Sequence, residues 1–508
     1  MKNEELRVNR LLMICVLLTL AVQTAWGQQR LSCTPHSQKA GTRGSYRLNE
    51  PLANWDATYT YRQPVVLITF KDCDFSMEDP VAYYRRVLNE KGYNEGVGKG
   101  CVADYFREQS GGLFNVQFDI YGPFQVDTIA KYVVNEDDGY GDYPIRKALE
   151  QLRNSTDADF SIYDWNGNGK VDQFVFIAAG YTGNESPGYI WPNTGSTSYK
   201  APGNLSIEMA SISCEKWRNG KPCGIGTIIH EFAHCLGLPD IYPVGDNMAF
   251  SAVDEWDLMD GGNYTNYGWC PPNLSVMEKM HLGWTTPTEL TRATSISGMK
   301  PVSEGGETFI IRNSGYKNEF YLLENRRQTG WDYAAPGNGL LIFHVDYNYR
   351  DWCNNHVNIS NDHYRYSLIA ADNKTYRDWD PYNDGSDPNK WTMADRMRNR
   401  YLSTAAYPYI DSTMVVHANL TDATVPAATL FNANADNTKF MSKPISNIRI
   451  DNDGIVSFDF MKVPSGIREV PLESPDSDVW YDLQGRRLQG KPTRKGVYIY
   501  GIKKIILR

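Results

Sequence analysis

Residues 227–240 (TIIHEFAHCLGLPD) bring together two imidazoles, a carboxylate beside the first of them and a second carboxylate beyond a glycine. On a helix, His230 and His234 stand four residues apart, so both rings leave one face a turn apart, where they can hold one zinc ion. Glu231 leaves the same helix on the adjoining side. A carboxylate there can take a proton from an activated water and hand it on, the division of labour in metal-assisted hydrolysis. Such a zinc needs a third protein ligand and one open position. Gly237 breaks the helix and turns the chain back, and Asp240 is then well placed to offer a carboxylate oxygen. Glu255 is a competing third ligand, because some zinc sites draw a Glu from a separate helix about twenty residues downstream. The apolar Ile228, Ile229, Phe232, Ala233 and Leu236 line the opposite face, as a helix embedded in a core requires.

Three further groups could serve the same chemistry. Residues 256–262 (WDLMDGG) read as a tight turn that sets Met259 beneath the histidines. Tyr264 or Tyr267 could reach over the ion and stabilise an oxyanion. Residues 164–172 (DWNGNGKVD) put oxygen side chains at alternating positions, Asp164, Asn166, Asn168 and Asp172, with a glycine for the sharp turn, which makes them a candidate calcium loop. Position twelve of that loop is Val175 rather than Glu, so calcium would need another ligand, such as Asp157 or Asp159. A turn rich in Asn, Gly and Asp also forms without any ion. Asp378, Asp380, Asp384 and Asp387 make a second acidic loop, which reads as a solvated turn.

These side chains need a scaffold. The run 65–70 is continuously apolar and suits a buried strand, Asp79-Pro80 caps a helix that Gly92 ends, and 114–120 and 173–178 are further strands. With a helix at 144–153 and another at 274–281, residues 61–288 form one α/β unit. From about residue 290 strands and turns dominate, at 308–312, 320–324, 340–345 and 455–460, so 289–463 reads as a β-rich, sandwich-like domain. Residues 464–478 have the composition of a linker, and 479–508 form a small β tail.

The 508 residues exceed one ordinary core, so two or three folded units are expected. A formal net charge of -9 leaves no basic footprint for nucleic acid. Lys2, Arg7 and Arg10, an apolar run over 11–22 and Ala25-Trp26-Gly27 read as a secretory signal peptide over 1–27. The run is shorter than the ~20 residues of a membrane span, which argues against an anchor. Residues 28–60 are then an N-terminal arm or short pro-segment. Eight cysteines remain beyond Cys15, a number that permits disulfides in an exported chain, with Cys214 and Cys223 poised to close a short loop.

The segment from His230 to Asp240, Met259, and the stretch from Pro271-Pro272-Asn273 to Leu282-Gly283-Trp284 together resemble the immune inhibitor A family of secreted bacterial zinc metalloproteases. Residues 100–112 and 324–346 extend the resemblance over roughly 60–460. It implies a metzincin-like fold with Asp240 where most metzincins have a third His, endopeptidase activity on protein or peptide substrates, and zinc usually accompanied by calcium. The tail, with Trp480-Tyr481-Asp482-Leu483-Gln484-Gly485-Arg486-Arg487, is similar to C-terminal sorting domains of the type IX secretion machinery. A secreted binding or adhesion protein with an inactive protease fold is the alternative of a different class. It would have no use for a general base at Glu231.

Overall fold

A computed structural model describes residue 48, residues 51–462 and residues 480–507, apart from residues 53, 96–97, 132–140, 184–185, 187, 245–250, 361, 376–398, 482–486 and 501–502. The expected leader, the linker and the acidic loop of Asp378 to Asp387 therefore lie outside the described residues. The chain divides into two compact units, Met1–Met461 and Lys462–Arg508.

The first unit begins with a five-stranded sheet in the order β2-β1-β3-β5-β4. Its strands are β1 (Thr60–Thr69), β2 (Asn115–Gln125), β3 (Val171–Tyr181), β4 (Asn193–Ser196) and β5 (Ile207–Lys216). All neighbours run parallel except β4, which is antiparallel to β5 and forms the edge. Strands covered on both faces explain the unbroken apolar run of β1. Val65 and Leu67 point into one core with Val175 and Ile177, while Val66 and Ile68 point into a second core with Phe174 and Phe176.

Helices α1 (Pro80–Asn89), α2 (Val102–Gln109) and α4 (Gly226–Cys235) contribute to the first core, and α3 (Asp142–Ser155) covers the opposite face through Ile145, Ala148, Leu149 and Leu152. Local chemistry starts them. The Asp79 carboxylate accepts the Ala82 amide ahead of Pro80, and α5 (Val276–His281) opens on a reciprocal Ser275/Glu278 cap.

Downstream, β6 (Thr288–Glu289), β7 (Thr294–Met299), β8 (Phe309–Arg312), β9 (Glu319–Arg326) and β10 (Gly339–Asp346) precede the short helix α6 (Tyr349–Cys353) and β11 (Tyr366–Leu368). Two sheets result, β11-β10-β9-β8-β6 and, with β12 (Ile445–Ile450) and β13 (Val456–Phe460), β12-β13-β7. Residues on one face of β9 and β10 (Phe320, Leu322, Leu341, Phe343) enter the core that holds α4. Those on the other face (Tyr321, Leu323, Leu340, Ile342) pack with Phe458 and Phe460. The region is β-rich, and its central sheet is a wall of the core around the histidine helix. The second unit contains a four-stranded sheet drawn from Trp480–Tyr481, Arg487–Leu488, Gly496–Tyr500 and Lys503–Leu507.

The cysteine pair expected at 214 and 223 is not bonded: all seven described cysteines are free thiols. The hairpin register explains this. The Cys223 amide bonds the Glu215 carbonyl, one residue out of step with Cys214, so the two side chains fall on opposite faces. Cys214 joins the second core and Cys223 packs with Trp217 and Tyr264.

Candidate metal centre

Every residue of α4 is buried, so the helix that carries the histidines is covered all round rather than on one stripe. It ends where Gly237 adopts φ +106°, a backbone setting open to glycine without strain. The chain turns there and delivers Asp240 back to the helix. His230, His234 and Asp240 each offer one ligand atom, and these three atoms lie within 4.8 Å of one another. Among the described residues no other group of three or more His, Cys, Asp or Glu does so, and Glu255 is not in this one.

The hydrogen bonds around the rings decide which atoms face inward. His230 Nδ1 lies 3.0 Å from the Leu258 carbonyl and His234 Nδ1 lies 2.7 Å from the Leu238 carbonyl. A carbonyl can only accept, so both Nδ1 atoms carry the proton and both Nε2 atoms present lone pairs. Those Nε2 atoms lie 3.2 and 3.1 Å from Asp240 Oδ1, which has no hydrogen-bond donor and is completely buried. Three lone pairs converge on one enclosed point, an arrangement that needs a cation or extra protons. The donor set of two imidazoles and one carboxylate fits a divalent transition metal of the zinc kind. Without metal the protons serve instead. Burial pulls the His230 imidazolium down, but Asp240 and Glu231 outweigh it and raise its pKa to about 8. Burial also pushes Asp240 up, and the two histidines more than reverse this, holding it well below the usual carboxylate range.

Met259 is fully buried in the turn after Trp256. The turn grips the site through its backbone: Leu258 O meets His230, Met259 O accepts the Ile241 amide at 2.8 Å, and Asp257 Oδ1 accepts the Met259 amide at 2.9 Å. Glu231 is also buried, and the Thr194 hydroxyl on the edge strand β4 lies 2.8 Å from both its carbonyl and its Oε2.

Sequence reasoning missed three contacts of this site. Asn355 accepts the Asp240 amide at 2.6 Å and donates to Asp240 Oδ2 at 2.7 Å. Thr194 holds Glu231, and Tyr242 stacks on the His230 ring at 6.4 Å between centroids. None carries a local signal, because each partner is distant in sequence or one of many tyrosines. Of the tyrosines singled out, Tyr264 packs against Trp217, while Tyr267 sits at φ +57° with its carbonyl accepting Trp217 Nε1 and its ring under Lys221.

The acidic loop at 164–172 folds on itself. Asp164 accepts the amides of Gly167, Asn168 and Gly169, and Asp172 accepts the Trp165 amide and the Asn166 side chain. Asp159 caps the following turn through the Ser161 amide, and Asp157 is exposed. The carboxylate that does approach is Glu208 on β5, reached by Asn168 and Lys170. Burial, with Glu208 and Asp164 nearby, raises the Asp172 pKa to about 7.

No protein-family model matches the chain. It is 25% identical over 221 residues to the pre-pro-metalloprotease PrtV of Vibrio cholerae serotype O1, in strain M66-2 and equally in strain ATCC 39315 / El Tor Inaba N16961. The similarity is to a metalloprotease. It covers 37% of this chain and 24% of the relative, so the chain spans about a quarter of the length of the proteins it matches.

Proposed function

We propose that this chain is an exported, zinc-dependent endopeptidase with a metzincin-like catalytic region. The observation that carries this reading is the buried Asp240 Oδ1, without a donor, facing two Nε2 atoms whose rings are anchored by carbonyls. The distant similarity to a metalloprotease supports it. His230, His234 and Asp240 would hold the ion, which when bound makes a water acidic and polarises a scissile carbonyl.

The chain's own residues do the rest. Glu231, oriented by Thr194 through Oε2, takes the proton of the attacking water and returns it to the leaving amine nitrogen. Thr194, which meets Glu231, stands on β4, an edge strand with no strand on its outer side among the described residues. Such an edge accepts an extended peptide by backbone pairing, which suits a protein substrate. Tyr264 or Tyr267 is assigned the oxyanion, since the 3-10 segment Gly261–Gly268 that carries both lies against α4. Met259 is assigned the floor of the site.

Asp164, Asn166, Asn168 and Asp172 are assigned to calcium, with Glu208 as the further carboxylate the loop requires. The segment 1–27 is assigned as signal peptide, and the tail 479–508, which forms its own sheet, as a type IX sorting domain.

Cleavage of an unfolded protein by the full chain tests the reading, with and without a zinc chelator and beside Glu231→Gln. Chelation abolishes cleavage, and the variant keeps zinc while losing about 10²–10⁴ in rate. Undiminished cleavage in either control sinks the proposal.

A further inference from the structure

We infer that Asn355 is a positioning residue for Asp240, so that the third metal ligand is set by a segment 115 residues downstream of it. The inference rests on the zinc reading above. Asn355 follows helix α6, is 7% exposed and sits at φ +58°, in the left-handed region that Asn tolerates better than most residues.

Its amide uses both ends on one residue. Oδ1 accepts the Asp240 backbone amide at 2.6 Å and Nδ2 donates to Asp240 Oδ2 at 2.7 Å. Fixing backbone and carboxylate together leaves Asp240 little rotational freedom about its side-chain bonds. Oδ2 is thereby engaged, and Oδ1 is the oxygen left facing the two Nε2 atoms. Asn358 extends the same hold, donating to the Ile241 and Tyr366 carbonyls at 2.8 Å while accepting the Tyr366 amide. The loop is thus tied to β11, which pairs with β10 in the central sheet. The β-rich region therefore takes part in the metal site. Outer contacts of this kind fix ligand orientation and tune the ion's affinity.

The side chain must both donate and accept. Asp at 355 has the same shape and tolerates the same φ, but it loses the donor and sets a carboxylate against Asp240 Oδ2. Gly keeps the backbone setting without strain and removes both bonds.

The test is zinc affinity of the full chain, by competition with a chromophoric chelator, for the parent, His230→Ala, Asn355→Asp and Asn355→Gly, with the melting temperature of each protein both metal-free and zinc-loaded. The parent binds zinc and His230→Ala does not. Both Asn355 variants bind about 10–100-fold more weakly, while their metal-free melting temperatures fall much less than zinc-dependent stabilisation does. Zinc affinity within twofold of the parent in either folded variant overturns the role of Asn355 and leaves the zinc reading standing. A metal-free melting temperature lowered as far as the zinc-loaded one overturns it too, because Asn355 is then merely structural. Absence of His230-dependent zinc binding in the parent overturns the zinc reading, and this inference with it.

Discussion

The hydroxyl of Thr194, on the edge strand β4, lies 2.8 Å from the Glu231 side-chain oxygen Oε2 and 2.8 Å from the Glu231 carbonyl, 37 residues away in sequence. One short side chain ties the edge of the sheet to the carboxylate beside the histidines. A hydrogen bond to a charged group contributes about 1.5–3 kcal/mol. Thr194→Val, of similar shape but without the hydroxyl, is expected to lower kcat by about tenfold or more with KM little changed, while Thr194→Ser keeps most activity. Equal kcat values in the parent and the Val variant would show that Glu231 does not depend on this contact.

Tyr264 and Tyr267 share one irregular segment but meet different partners: Tyr264 faces Trp217, and the Tyr267 ring lies beneath Lys221. Loss of an oxyanion donor costs about 10²–10³ in kcat. Only one of Tyr264→Phe and Tyr267→Phe should show such a loss, and the same variant should bind a transition-state analogue more weakly. If both retain parental rates, the oxyanion is stabilised elsewhere.

Asp172 sets a pH dependence in the acidic loop. Its folded pKa of about 7 stands above the ordinary 3.8, with burial the main cause, so the fold favours the protonated form. Stability from this group is complete below the ordinary carboxylate range and is lost as pH rises to about 7. Asp172→Asn should flatten melting temperature across that window. Calcium should raise the melting temperature of the parent most above the window, where Asp172 is ionised, and should have little effect on the variant. A calcium response identical at all pH values, or none, counts against a calcium loop.

Glu319 produces the opposite slope in the β-rich region. Burial alone would push its pKa up, but His344 at 2.8 Å and the amides of Phe431 and Asn432 hold it down, at about 2. Its stabilising contribution is present above the ordinary 4.5 and is lost as pH falls toward about 2. Glu319→Gln should melt lower than the parent near neutrality and lose this part of the acid slope. Parallel pH–melting curves for parent and variant would rule the contribution out.

Sequence patterns alone located the helix with His230 and His234, the turn at Met259 and the apolar strands around Val65 and Phe174, because helical spacing, a glycine-flanked turn and a continuous apolar run are each set by neighbouring residues. They also marked starts such as Asp79-Pro80, where one carboxylate meets an amide three residues on. Strand β5 escaped notice, since Ser211, Ser213 and Glu215 interrupt its apolar pattern although all three are buried. Glu215 is tolerated there because the amides of Ser76 and Gly180 bond it, a pairing that no window of sequence contains. The metal site divides in the same way. Helical spacing sets the two imidazoles on one face, and Gly237 allows the return of Asp240. The carbonyl that orients His230 lies 28 residues downstream and the amide that holds Asp240 lies 115 downstream. A hydrogen bond acts over about 3 Å of space whatever the length of chain between its partners, so only the tertiary structure could bring Leu258, Asn355 and Thr194 to the motif.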